Sequence, residues 1–187
     1  ECTSACVQAL VKARQRFPGE FDLDAPLAKA VTFLRDAQRA DGSFEGSWAV
    51  NFTYGTWFGV SALLAAGVPA SDEAVTRAVA FLLSKQRPDG AWSEHGDSCR
   101  ERRWLDGRDG HAAQTSWALS TLVRAGCHDT RAMENAARWL CARQASDGGW
   151  PREAMVGVFN RTCLINYDCY RHYFPIWALA EFKARQC

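Results

Sequence analysis

Absences narrow the reading before any motif is sought. No apolar run in the 187 residues comes near the roughly 18 that a bilayer-spanning helix requires. Neither sign of charge is in excess: 22 Lys and Arg stand against 21 Asp and Glu, a net charge of +1. Neither a nucleic-acid footprint nor an acidic solvating tail is therefore written into the chain. The cysteines form no C-x-x-C pair, and none joins a histidine at zinc-finger spacing. Cys2, Cys6, Cys99, Cys127, Cys141, Cys163, Cys169 and Cys187 read as reduced thiols, several of them in apolar stretches where a free Cys packs as a small hydrophobe. No basic, apolar leader precedes the first helix-like residues, and the opening at Glu1 reads as that of a processed piece or a fragment.

What is abundant is aromatic surface: 8 Trp, 10 Phe and 4 Tyr make up 12% of the chain. The aromatics mark an internal repeat. Ala30–Phe44, Ala78–Trp92 and Ala136–Trp150 align without gaps. Each has an aromatic five residues before a Gln (Phe33, Phe81, Trp139) and a Leu four before it (Leu34, Leu82, Leu140). Each has Asp-Gly three and four after it (Asp41-Gly42, Asp89-Gly90, Asp147-Gly148) and an aromatic six after it (Phe44, Trp92, Trp150). The three glutamines, Gln38, Gln86 and Gln144, stand 48 and 58 residues apart.

Leu27, Val31, Leu34 and Gln38 fall at helical spacing, as do Val75, Val79, Leu82 and Gln86. The Asp-Gly that follows ends each helix, because Gly accepts a left-handed turn. Between the repeats lie more apolar segments, Phe52–Ala66 and Thr115–Ala125, and Trp117-Ala118-Leu119 returns as Trp177-Ala178-Leu179. Thr3–Arg16 opens the chain in the same style. The pattern predicts about seven helices and no strand. It is an all-α chain in which polar-faced outer helices alternate with apolar inner ones: a partial α/α barrel, an open arc with apolar surface at its ends. A Gln amide can satisfy free backbone groups at a helix end, and a Trp ring can stack across it, so the repeat element should tie neighbouring helix ends together. The charged stretch Glu94–Arg103 reads as a solvated connection. Periodicity alone also fits a non-catalytic α/α repeat module binding an apolar ligand.

The three elements, residues 29–44, 77–92 and 135–150, resemble the QW motif of the triterpene cyclases, with Phe44 replacing the usual Trp in the first. Asp41 to Trp48 running into Asn51 to Phe58 is similar to a further block of these enzymes. Gly157-Val158-Phe159-Asn160-Arg161-Thr162-Cys163, then Ile165-Asn166-Tyr167, Tyr170-Arg171 and Phe174 to Leu179, resembles the C-terminal signature of the eukaryotic oxidosqualene cyclases. The resemblance covers essentially the whole chain but only the last quarter of a family member. It implies an isomerase that folds (S)-2,3-oxidosqualene into a sterol or triterpene skeleton such as lanosterol by cationic cyclisation, without cofactor or metal. It also implies as partners the lipid substrate, the remaining N-terminal part of the enzyme and, through the full-length enzyme, a membrane surface at the endoplasmic reticulum or a lipid droplet. Nucleic acid is not among them.

Such a reaction protonates an epoxide and then moves a carbocation along a folded chain. The cavity must be dry and walled with π faces, which offer electrons without attacking the cation. By resemblance, Trp48 and Phe159 stabilise cations at the middle and later rings, Tyr54 and Tyr167 polarise or order the wall, and Cys2 donates a hydrogen bond that makes the catalytic Asp more acidic. An aromatic in an apolar helix, or a Cys beside one, also serves as plain core. The family's D-C-T-A-E acid motif is absent and would precede Glu1. Asp97-Ser98-Cys99 is only superficially similar to it. The bacterial squalene–hopene cyclases, with D-x-D-D as acid motif, are the alternative within the resemblance. No D-D-x-x-D cluster serves to ionise a diphosphate, and His95, His111, His128 and His172 are scattered rather than set as the zinc trio of the protein prenyltransferases.

Overall fold

The computed structural model describes residues 1–186, so the thiol reading of Cys187 lies outside the described residues. The helices are α1 (Cys2–Arg16), α2 (Asp24–Ala37), α3 (Phe52–Ala65), α4 (Glu73–Ser84), α5 (Ser98–Glu101), α6 (Ala112–Arg124), α7 (Thr130–Ala142) and α8 (Tyr170–Gln186). All but the one-turn α5 are the seven that the periodicity predicts. None is long and apolar enough to cross a membrane.

Burial sorts these helices into two layers. Helices α1, α3, α6 and α8 pack in succession as an inner row, while α2, α4 and α7 lie behind them against successive inner neighbours. Helix α3 buries nearly every side chain from Phe52 to Leu63, and α6 every one from Ala112 to Leu122. Helices α4 and α7 bury a single stripe: Val75, Ala78 and Leu82 on one, Met133, Ala136 and Leu140 on the other. This is the alternating arrangement of an α/α barrel, present as an arc. Its last inner helix, α8, leaves Tyr173, Ile176 and Trp177 exposed.

The repeated turn locks outer helices to one another. Gln38 Nε2 donates to the Gly42 carbonyl (2.9 Å) and to the Ala74 carbonyl in the first turn of α4 (2.7 Å). Gln86 Nε2 donates to Gly90 (2.9 Å) and to Ala132 in the first turn of α7 (2.8 Å). Among the described residues the Gln144 side chain bonds Gly148 alone, at 2.9 Å. Gly42 and Gly90 have φ of +89° and +92°, and a Cβ on Gly42 would lie 2.4 Å from the Arg77 carbonyl oxygen. A side chain there is excluded both by conformation and by the next helix. Trp92 Nε1 donates to Leu82 (2.7 Å) and Trp150 Nε1 to Leu140 (2.9 Å), closing the C-terminal end of each helix. Phe44 lacks that donor and fills the same place by packing alone.

Two sequence expectations are corrected. The chain does contain strands: β1 (Gly157–Phe159) and β2 (Cys163–Ile165) form an antiparallel hairpin with Phe159 opposite Cys163. Three-residue strands are too short to show an alternation, and the turn runs through left-handed Asn160 and Arg161 (φ +48° and +63°) without a glycine to announce it. The stretch Glu94–Arg103 is solvated only in part: His95 and residues 100–103 are exposed, but Glu94, Ser98 and Cys99 are buried. Burial raises the Cys99 thiol to about 12, which keeps it an inert neutral group.

The tether predicts a graded response. Gln86→Ala removes two bonds and leaves the Ala132 and Gly90 carbonyls short of a donor, so it should cost about 1–3 kcal/mol in urea unfolding. Gln144→Ala, with one exposed bond, should cost under about 1 kcal/mol.

Candidate functional site

The loop after the first repeat turn lies against the hairpin. Val50 N donates to the Val156 carbonyl (2.7 Å) and Val158 N to the Trp48 carbonyl (3.1 Å), with Ala49 bridged to Gly157. Residues 48–50 thus extend the hairpin as a third short strand. At the end of this pairing the Trp48 and Phe159 rings meet in a tilted arrangement, centroids 5.6 Å apart and planes inclined by 36°. Both rings are about half exposed, at 45% and 46%.

Glu1 fixes the same loop from the other side. Its Oε2 accepts from Ser47 N (2.9 Å) and Trp48 N (3.3 Å). Cys2 is the next residue, at the start of α1, and its side chain is exposed. The thiol therefore stands one residue from the carboxylate that holds Trp48.

Tyr54 lies in the first turn of α3. That helix start is held by the buried Glu94 carboxylate, which accepts from the main-chain N–H groups of Asn51, Phe52 and Thr53 at 3.0–3.2 Å and from the Thr53 hydroxyl at 3.0 Å. Burial raises the Glu94 carboxyl while these donors pull it back down. Gly46 makes room for Tyr54, since a Cβ would lie 2.8 Å from its ring. Gly157 does the same for Tyr167, with a Cβ at 2.6 Å from that ring.

Tyr54 and Tyr167 belong to one continuous aromatic wall. Tyr167 stacks on Tyr170 (4.9 Å, 26°), which meets Trp117 edge-on at 6.1 Å, and Trp117 meets Tyr54 at 5.0 Å. Phe58, Trp57, Phe174, Trp177 and Tyr173 complete a network of nine rings across α3, α6 and α8. The sequence singled out Trp117 and Trp177 only as a repeated Trp-Ala-Leu. The signal that finds the rest is the concentration of rings on inner helices. Of the sequence-derived residues, Trp48 pairs with Phe159, Tyr54 joins Tyr167 through two intermediate rings, and Cys2 adjoins the Trp48 loop through Glu1.

Three phenols of this wall are raised above their ordinary value. Burial first, then the Glu1 charge, raises the Tyr54 hydroxyl, and burial raises Tyr170 and, to about 12, Tyr173. These phenols stay neutral near pH 7, electron-rich on their faces and poor as nucleophiles. Asp97 stands elsewhere, half exposed beside His95 and Arg100, and is not part of the wall. Among the described residues no three His, Cys, Asp or Glu side chains converge as a metal site requires.

Behind Tyr167 lies a buried His–Glu contact. His111 Nε2 donates to the Ala154 carbonyl (2.9 Å), its Nδ1 accepts from Ala113 N (3.2 Å), and Glu153 Oε2 accepts from Ala112 N (2.6 Å), 3.3 Å from His111 Nδ1. The two side chains cap α6. Burial lowers the imidazole to about 4 and raises the carboxyl to about 7. The folded imidazole refuses a proton that the unfolded one accepts, so its share of stability is present above about pH 6.5 and is lost as pH falls toward 4. Glu153 acts in the opposite sense: its share is full below about pH 4.5 and is lost as pH rises through about 7. Urea melts across this range should therefore find that His111→Gln loses less stability than wild type between pH 6.5 and 4, by on the order of 3 kcal/mol.

Comparison with known proteins follows this geometry. The squalene-hopene cyclase C-terminal domain model matches residues 3–184. Lanosterol synthase of Homo sapiens is 45% identical over 98% of this chain and 26% of its own length. Cycloartenol synthase of Dictyostelium discoideum is 38% identical (98% and 26%), and squalene–hopene cyclase of Zymomonas mobilis 34% (98% and 27%). The chain spans about a quarter of the length of the curated relatives it matches. Among solved structures, ent-copalyl diphosphate synthase from Streptomyces platensis superposes with a TM-score of 0.62 at 20% identity, covering 97% of this chain and 31% of that one. Type II terpene cyclase MstE from Scytonema, without ligand, gives 0.62 at 21% identity, covering 85% and 52%. At such identities the likeness is one of fold.

Proposed function

The chain belongs to the squalene-hopene cyclase C-terminal domain family, and from that premise we propose that it forms one side of the reaction cavity of an oxidosqualene cyclase. The substrate in this reading is (S)-2,3-oxidosqualene and the product a sterol or triterpene skeleton such as lanosterol. One observation carries it: Trp48 and Phe159, from distant stretches of chain, meet at 5.6 Å with both rings half exposed. A non-catalytic repeat module has no need to hold two half-exposed rings against each other by main-chain pairing. The squalene–hopene alternative has less support, at 34% identity against 45% for the human lanosterol synthase.

In this mechanism a positive charge migrates past the Trp48 and Phe159 faces, which lower its energy by cation–π attraction, worth about 1–2 kcal/mol per ring in a dry site. Tyr54 and Tyr167 fix the wall behind them. Cys2 donates a hydrogen bond to the catalytic carboxyl, which the D-C-T-A-E segment of the complete enzyme supplies. A substrate this apolar argues for attachment of the complete enzyme to one face of the endoplasmic-reticulum or lipid-droplet membrane.

The test is a chimera in which this chain replaces the matching C-terminal quarter of human lanosterol synthase. It should cyclise oxidosqualene, while the 187-residue polypeptide alone should give no cyclic product. Trp48→Ala or Phe159→Ala in the chimera should lower turnover about tenfold or more and release partly cyclised products. A folded chimera without product, or cyclisation by the chain alone, contradicts the reading.

A further inference from the structure

We propose that Glu45 is a positioning residue for the Trp48–Phe159 pair, acting as an ionic hub that fixes the tip of the hairpin. The proposal rests on the reading of that pair as part of a cyclase cavity. Three segments send a guanidinium to this one carboxylate. Arg102 forks onto it, with Nε 3.1 Å from Oε1 and Nη2 2.9 Å from Oε2. Arg39 Nη1 lies 3.5 Å from Oε2, and Arg161 Nη2, from the hairpin turn, lies 3.7 Å from Oε1.

Isolated surface ion pairs contribute little to a fold, but this cluster differs in two respects. The Glu45 side chain is only 20% exposed, so its charge is poorly screened. Moreover, two of its three partners hold a left-handed backbone, Arg102 at φ +53° and Arg161 at φ +63°. Gly or Asn is favoured in that conformation, and an L side chain there is strained. A residue needed only to turn the chain would be Gly. Arg at both positions points to use of the side chain, and both side chains end on the same carboxylate.

The hub stands where it can set the ring pair. Glu45 is three residues before Trp48, and Arg161 two after Phe159. Beneath it Val50, Cys99 and Val158, one from each of three converging segments, form a small buried cluster. Ser47, Trp48, Phe159, Asn160 and Arg161 line one groove beside the rings. Main-chain bonds from residues 48–50 fix the base of the hairpin, at Val156 and Val158. The Arg161–Glu45 contact supplies a second point, at the tip. With both, Phe159 cannot swing away from Trp48; with the first alone, the hairpin can twist and the spacing of the π faces changes.

Hydrogen exchange of the 187-residue chain tests the hub without need of activity. In Glu45→Gln and Arg161→Gly, amides of residues 156–165 should exchange about tenfold faster at an unchanged global melting midpoint, while Arg161→Lys stays near wild type. Arg161→Gly is the deciding variant, because it relaxes the backbone as it removes the charge. A hairpin governed by its turn alone would exchange more slowly in that variant. Unchanged or slower exchange in Arg161→Gly overturns the proposal, whatever Glu45→Gln shows. In the human lanosterol synthase chimera, the same two variants should raise the share of incompletely cyclised product at an unchanged KM. An active parent chimera whose variants keep its product ratio overturns the link to catalysis. An inactive parent counts against the cyclase reading itself, and the exchange result still decides on the hub.

Discussion

Two main-chain hydrogen bonds, Val50 to Val156 and Val158 to Trp48, are the constraint on which the functional reading turns. They join a loop that follows the first repeat to a hairpin that follows the third. Main-chain pairing fixes register, and register fixes which side chains share a face. With Ala49 opposite Gly157, Trp48 stands opposite Val158; the pairing brings the two segments side by side, and the Trp48 and Phe159 rings meet where the short pairing ends. Inner helix α3 starts directly after the loop, and Tyr167 follows the hairpin closely, so the same pairing also aligns the aromatic wall carried by α3, α6 and α8.

The remainder of the fold serves to hold that geometry still. The Gln38 and Gln86 tethers each tie the end of one outer helix to the beginning of the next, so the outer layer behaves as a linked frame rather than as separate helices. Buried acids hold the inner helices from the opposite direction: Glu94 caps α3 and Glu153 with His111 caps α6. These acids reach across from segments that follow the second and third repeat turns. A helix start is thereby fixed by the next unit along the arc, and a shift in one unit is resisted by its neighbours. For a reaction whose outcome depends on which ring lies beside a migrating charge, such stiffness has a direct chemical use.

The parts legible in the sequence were those in which one residue has one local task. Gln, Asp-Gly and the closing aromatic all act within a single turn, so the outer helices and their stops could be read from spacing. Apolar composition separated α3 and α6 from their outer partners for the same reason. Non-local partners left no such trace. Glu94 looks like any charged residue of a polar connection until the N-terminus of α3 is set against it. Asn160 accepts a left-handed turn, but Arg161 does not announce one, and strands of three residues give no alternation to mark the hairpin. The meeting of Trp48 with Phe159 is invisible to periodicity, and only the likeness of two separate blocks to one family suggested it. Trp57, Phe58 and Phe174 lay within the blocks that resembled the family but were given no role of their own, because an aromatic on an apolar helix is most often plain core, and these are core and wall at once.

The most direct test is a crystal structure of the human lanosterol synthase chimera with a protonated tertiary-amine analogue of oxidosqualene, its nitrogen placed where a mid-cyclisation cation would lie. The account predicts the ammonium within about 6 Å of both the Trp48 and Phe159 ring centroids, with no carboxylate or water in direct contact. An ammonium lodged against a carboxylate, or the two rings turned apart into separate cores, would contradict it.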